Sequence, residues 1–216
     1  MNRSTSVDTF IEIGGKLFQC IDHVEQMPPF FFSVVSPEDH WMFAASNGSL
    51  SAGRLSPDTA LFPYYTVDKI IDNWNTTGPQ TIIVVDGERW EPFKPYARLR
   101  YSVNQRLFKS IEGSTVIFEE TNENLQLKFS YRWQNSDRFG FVRQAELVNL
   151  GPDKRELVVV DGICNFMPAG LDSRTQLQYS CLADAYKLSE LDAERQLLIH
   201  RMASSLTDEE IGRAHV

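Results

Sequence analysis

The chain has 216 residues, a formal net charge of −8, 42% hydrophobic residues and 12% aromatic residues. That length supports one domain with a sizeable core, and the acidic balance, with no basic stripe, speaks against nucleic acid or an anionic membrane surface as a partner. No apolar run approaches the ~18 residues of a membrane helix, and the polar opening lacks the apolar core of a signal peptide.

The first strands are expected at 9–14 and 16–21, a hairpin turning at Gly14 and Gly15. After a break at 25–29 comes Phe-Phe-Phe-Ser-Val-Val at 30–35, a continuous apolar run that suits a strand buried on both faces. A strand at 40–45 then delivers the chain into 46–68, the stretch around which the rest is organised. Asn47, Gly48 and Gly53 suggest turns with positive φ, and Pro57 and Pro63 remove backbone donors, so 46–68 reads as a long ordered loop.

Polar groups and rings are concentrated in that loop. Arg54, Asp58, Tyr64, Tyr65 and Asp68 are the candidate substrate-binding residues. Sugars need this chemistry: hydroxyls take paired donors and acceptors, and the C–H face of a pyranose stacks on an aromatic ring. The plainer reading is a structural loop whose rings cap the core and whose Arg54 pairs with Asp58.

Beyond the loop, 68–74 has room for one helical turn, and 80–86 is a strand ended by Gly87. Strand then follows strand at 105–112, 114–120, 125–133, 139–150 and 155–164, with short polar turns between them. In 125–133 the apolar residues fall on every second position, which gives one dry and one wet face. Val158, Val159 and Val160 read as a buried strand ending in a turn at Asp161 and Gly162. Helical spacing appears at 171–188, with Asp172 or Ser173 as N-cap and Leu177, Cys181, Ala185 and Leu188 on one face. A last strand is expected at 197–202. The fold class is therefore all-β, mainly antiparallel: a β-sandwich with one or two short helices.

No catalytic set emerges. Glu119 and Glu120 are adjacent, so in a strand they point to opposite faces and cannot act as a pair. His23, His40 and His200 have no ligand-spaced partners, so neither metal nor cofactor is expected. Cys20, Cys164 and Cys181 are odd in number and widely spaced. They read as small buried hydrophobes in a reducing, cytoplasmic setting rather than a disulfide framework.

Two stretches carry a resemblance: Phe-Val-Arg-Gln-Ala-Glu-Leu-Val-Asn-Leu-Gly at 141–151 and Lys-Arg-Glu-Leu-Val-Val-Val-Asp at 154–161. Together they resemble a hairpin in the N-terminal β-supersandwich of cellobiose phosphorylase-type glycoside phosphorylases. The loop at 57–68 is similar in position to one that this family sends toward its catalytic domain. The resemblance spans most of 8–209. It implies a galactose mutarotase-like, carbohydrate-binding sandwich that is not catalytic itself and helps shape the substrate pocket of an (α/α) barrel supplied by a following domain. The implied partners are a carbohydrate, with phosphate for a phosphorylase, that catalytic domain, and a second copy in a homodimer. The alternatives are a stand-alone lectin-like module and a purely structural or dimerisation sandwich.

Ile-Gly-Arg-Ala-His-Val at 211–216 back-translates into the start of a common sequencing adapter. Residues 1–209 are therefore expected to be an incomplete N-terminal sandwich domain, and 210–216 an artefact of translation.

Overall fold

The computed structural model describes residues 9–203. Residues 210–216, expected to be translated adapter, lie outside them. The chain opens with β1 (Thr9–Ile13) and β2 (Lys16–Ile21), followed by β3 (Phe31–Val34), β4 (His40–Ala45), β5 (Leu50–Arg54) and β6 (Ala60–Phe62). Next come α1 (Val67–Asp72), β7 (Gly78–Val85), β8 (Glu88–Trp90) and α2 (Ala97–Arg100). A run of long strands follows: β9 (Val103–Ser110), β10 (Thr115–Asn122), β11 (Leu127–Ser136), β12 (Gly140–Asn149) and β13 (Leu157–Cys164). The last elements are α3 (Ser173–Gln178), α4 (Ser180–Ala185), β14 (Lys187–Asp192) and β15 (Leu197–Met202).

All strand pairs among these elements are antiparallel, as the period-two pattern required. The largest sheet has the order β1-β2-β9-β10-β11-β12. Smaller sheets have the orders β3-β4-β5-β6 and β13-β7-β8, and β14 pairs with β15. One core joins the sheets: Met42, Leu50 and Phe62 meet Ile83 and Trp90 from the β7–β8 side, and Leu107, Phe118 and Trp133 from the large sheet. In β11 the alternation is complete, with Leu127, Phe129, Tyr131 and Trp133 buried and Lys128, Ser130 and Arg132 facing outward. The result is an all-β, sandwich-like architecture.

Several details differ from expectation. The stretch 46–68 is not one loop, because β5 and β6 lie inside it and β5 is paired on both sides. Leu-Ser-Ala-Gly-Arg carries no β-branched residue, so propensity gave no signal, yet small side chains suit a strand packed closely by both neighbours. Gly53 does not take a positive φ. Its role is close approach: a Cβ there would stand 2.5 Å from Trp41 Cζ2 and 2.7 Å from the Cα of Ala60.

The run at 30–35 is not buried on both faces. β3 is an edge strand, and Phe31 is exposed beyond Phe43. Nor are Val158, Val159 and Val160 buried, because β13 is also an edge strand; it reaches Cys164 as expected for 155–164, but runs straight through Asp161 and Gly162 without a turn. Asp161 forms no turn because the Arg143 guanidinium and the Thr81 hydroxyl hold it in the ladder.

There are four short helices among the described residues instead of one or two. The helix expected at 171–188 breaks at Tyr179 into α3 and α4, and Lys187 already begins β14. Its predicted face is therefore not formed, and Leu177 points to solvent while Leu171 and Ala183 pack with Met167. Asp172 does cap α3, accepting from the Thr175 backbone N–H at 2.6 Å. Cys20 is buried, but Cys164 and Cys181 are exposed. No helix of the described residues is long and apolar enough to cross a membrane.

Candidate functional site

His40 and Arg54 sit directly opposite each other in the β4–β5 ladder. By strand alternation they continue the core-facing row of Met42, Ala44, Ala52 and Leu50. At this end of the strands the two layers part. A cleft of about 500 Å³ opens between His40, Arg54 and Leu61 on one side and the β11–β12 turn on the other. Its floor is aromatic. Trp133, only 3% exposed, packs edge-on against Phe62 at 6.5 Å, and Phe62 against Phe166 at 5.6 Å.

The wall is aromatic too. Phe141 meets the His40 ring edge-on at 5.2 Å, and Phe139 is 71% exposed with the Arg138 guanidinium 5.1 Å above its ring. Gly140 makes this corner possible. Its φ is +71°, and a Cβ would come within 3.2 Å of His40 Nε2. A second depression of about 560 Å³ adjoins the first and shares Arg54, Leu61 and Phe166 with it.

Several donor groups of the cleft are unusual in having no hydrogen-bond or ion-pair partner. Among the described residues, Arg54 and Arg138 are the two arginines whose guanidinium groups make no hydrogen bond or ion pair; the others each have an acceptor. The nearby carboxylates are already engaged. Asp58 accepts from the backbone and hydroxyl of Ser173, Asp172 caps α3, and Asp137 accepts from the Arg138 backbone N–H at 2.8 Å. In addition, His40 Nδ1 and Trp133 Nε1 are buried without a hydrogen-bond partner. Aromatic surface beside unpaired donors is the composition of a pocket that binds a polar ligand with C–H faces.

The five residues selected from sequence are divided between surfaces. Arg54 and Asp58 reach the cleft and its neighbour, with Arg54 free and Asp58 bound to Ser173; they do not pair with each other. Tyr64, 52% exposed, lies edge-on to Trp41 at 5.6 Å, and Trp41 belongs to the opposite face of β4. There Tyr64, Trp41, Phe43 and Phe31 form a continuous aromatic row, with neighbouring rings 5.6–5.8 Å apart. Tyr65 is half-buried between β6 and α1. Asp68 is exposed in the first turn of α1, where hydrogen bonds from the Thr66 side chain and the Lys69 backbone hold its carboxyl below the usual range.

Sequence reasoning missed the cleft's other contributors. Arg138 follows what reads as an ordinary polar turn at 135–137, Phe139 reads as the first residue of a strand, and Trp133 as one more core residue of an alternating strand. It also missed two buried ionisable groups away from the cleft. Glu120 accepts from Trp90 Nε1, the Phe93 backbone N–H and Gln105 Nε2 at 2.6–2.7 Å, and burial pushes its carboxyl up to about 7. Lys94 donates to the Trp74 carbonyl at 3.1 Å, and burial pulls its ammonium below the usual range. Glu120 ties the 91–96 segment to the large sheet, and Lys94 ties it to the turn between α1 and β7. Glu119, on the other face of β10 as alternation required, pairs with Arg106 and Lys128.

A scan against protein-family models finds no match to this chain, and a search of curated proteins finds none either. Among the described residues no group of three or more His, Cys, Asp or Glu side chains is placed to hold a metal ion.

Proposed function

We propose that this chain is a carbohydrate-binding β domain, the non-catalytic N-terminal sandwich of a carbohydrate-active enzyme of the glycoside phosphorylase or hydrolase type. One observation carries the reading: the cleft sets the exposed Phe139 and Phe166 rings beside the unpaired guanidinium groups of Arg54 and Arg138. Rings offer stacking area at low entropy cost, and a planar guanidinium presents a fixed fork of donors to sugar oxygens. The fold class supports the reading, as does the sequence resemblance at 141–151 and 154–161, which leads the enzyme's (α/α) barrel to be sought in a following domain; the hairpin expected there is not formed, because β12 pairs with β11 and β13 with β7 in separate sheets.

The test is calorimetric titration of the chain with a panel of neutral and acidic oligosaccharides. Binding that Phe139→Ala weakens, with the melting temperature unchanged, is the expected result. A panel in which no saccharide binds above the background of a non-binding control protein overturns the proposal.

A second reading, an assembly domain, draws on one feature. β13 is an unpaired edge whose Val158 and Val160 are 64% and 60% exposed. Sedimentation showing a concentration-independent dimer that β13 substitutions dissolve favours that reading.

A further inference from the structure

We infer that the ligand of this cleft carries an anionic group, a carboxylate or a phosphate, held between Arg54 and Arg138. The inference rests on the saccharide reading above and narrows it to acidic saccharides. The protein is strongly acidic, at −8 overall, yet this cleft collects two guanidinium groups and an imidazole against one carboxylate, Asp137. Elsewhere among the described residues the arginines are satisfied, many by a carboxylate: Arg106 by Glu119, Arg143 by Asp161, Arg155 by Asp86. Only the two at the cleft are left without an acceptor.

Their isolation does not come from a lack of carboxylates nearby. Asp137 is the residue before Arg138, but its Oδ1 is taken by the Arg138 backbone N–H. Asp58 lies four residues beyond Arg54, but its Oδ1 accepts from Ser173. The local carboxylates accept from backbone and hydroxyl donors and pair with neither guanidinium, and the cations line the cleft. Arg54 comes from the end of β5, and Arg138 from the β11–β12 turn, so a bound oxyanion is approached from both layers of the sandwich. The fork geometry of guanidinium suits two oxygens of one carboxylate or phosphate. His40, opposite Arg54, and the floor indole of Trp133 supply ring nitrogens that still lack partners. The rings of Phe139 and Phe166 cover the uncharged part of the sugar.

The experiment compares ligands that differ only in charge. The intact chain is titrated with a hexuronate oligosaccharide, its neutral hexose counterpart, a hexose phosphate and inorganic phosphate, at low and high salt. The acidic saccharides are expected to bind, and the neutral counterpart to bind at least about tenfold more weakly. Salt should weaken the acidic ligands selectively. Arg54→Gln and Arg138→Gln should each remove about tenfold of the acidic affinity, while an unchanged melting temperature shows that these exposed positions leave the fold intact. The hexuronate and hexose phosphate arms identify which anion the cleft prefers. Equal affinity for neutral and acidic sugars, indifferent to both substitutions, overturns the inference and leaves saccharide binding standing. Tight binding of inorganic phosphate with no gain from an attached sugar upholds the anion site and overturns the saccharide reading instead. No binding by any of the four probes overturns both.

Discussion

Glu120 shows at single-residue scale how the core holds an ionisable group. It is fully buried, and its oxygens take donors from β8, from the segment after β8 and from β9. Burial dominates those three donors and lifts the carboxyl from 4.5 to about 7. The folded protein thus holds a proton that the unfolded chain releases at lower pH. This group's contribution to stability is fully present below about 4.5 and declines as pH rises to about 7, by roughly 3 kcal/mol in all. Denaturation free energies measured at pH 4.5 and pH 7.5 should show that fall in the native chain, and Glu120→Gln should flatten it. An equally steep profile in the variant would place the effect elsewhere.

Asp58 and Arg54 make a second contrast at this scale. Asp58→Ala removes two hydrogen bonds to Ser173 and should cost about 1 kcal/mol in a denaturant titration. Arg54→Ala breaks no interaction among the described residues and should leave the midpoint unchanged while weakening saccharide binding. If Arg54→Ala unfolds early, the guanidinium has a structural acceptor and the cleft loses its free cation.

At the scale of elements, β5 and β13 test opposite properties of strands. β5 is packed so closely that Gly53→Ala must push Ala60 or Trp41 aside, at a cost of about 1–3 kcal/mol. β13 is the reverse case, with its outward Val158 and Val160 bare and its edge unpaired. Such an edge recruits other chains. Val160→Lys should raise the concentration at which light scattering first detects aggregates, with little change in melting temperature. Unchanged scattering would show that the exposed edge is not the route to association.

These two strands also show what the sequence made legible. β11 was readable because alternation alone encodes a half-buried strand. β5 was not, because small residues needed for close packing resemble the residues of a loop. β13 misled in the other direction: three consecutive valines read as buried, but a strand's place in its sheet is set by long-range pairing. The α3–α4 break was hidden because helical spacing carries across Tyr179 although the backbone there, at φ −132° and ψ 36°, leaves the helix.

Across the whole molecule, the candidate site divides along the same lines. Arg54 was visible as a cation among turn residues. Its partners Arg138, Phe139 and Trp133 lie some eighty residues further on, and only the packing of β4–β5 against β11–β12 brings them to one cleft. Tyr64 was chosen with Arg54 by proximity in sequence, yet it lies beyond the end of β6 and packs against Trp41, in the aromatic row on the other face of β4. That row and the cleft are rival places for a sugar to stack, and they separate cleanly in one measurement. Amide hydrogen exchange is followed by mass spectrometry with and without a saturating hexuronate oligosaccharide. A ligand in the cleft slows exchange at 53–55, 138–141 and 163–167 and leaves 31–34, 41–43 and 64–68 unchanged. Slowed exchange at 31–34, 41–43 and 64–68 with none at the cleft would contradict the assignment and move the site to the aromatic row.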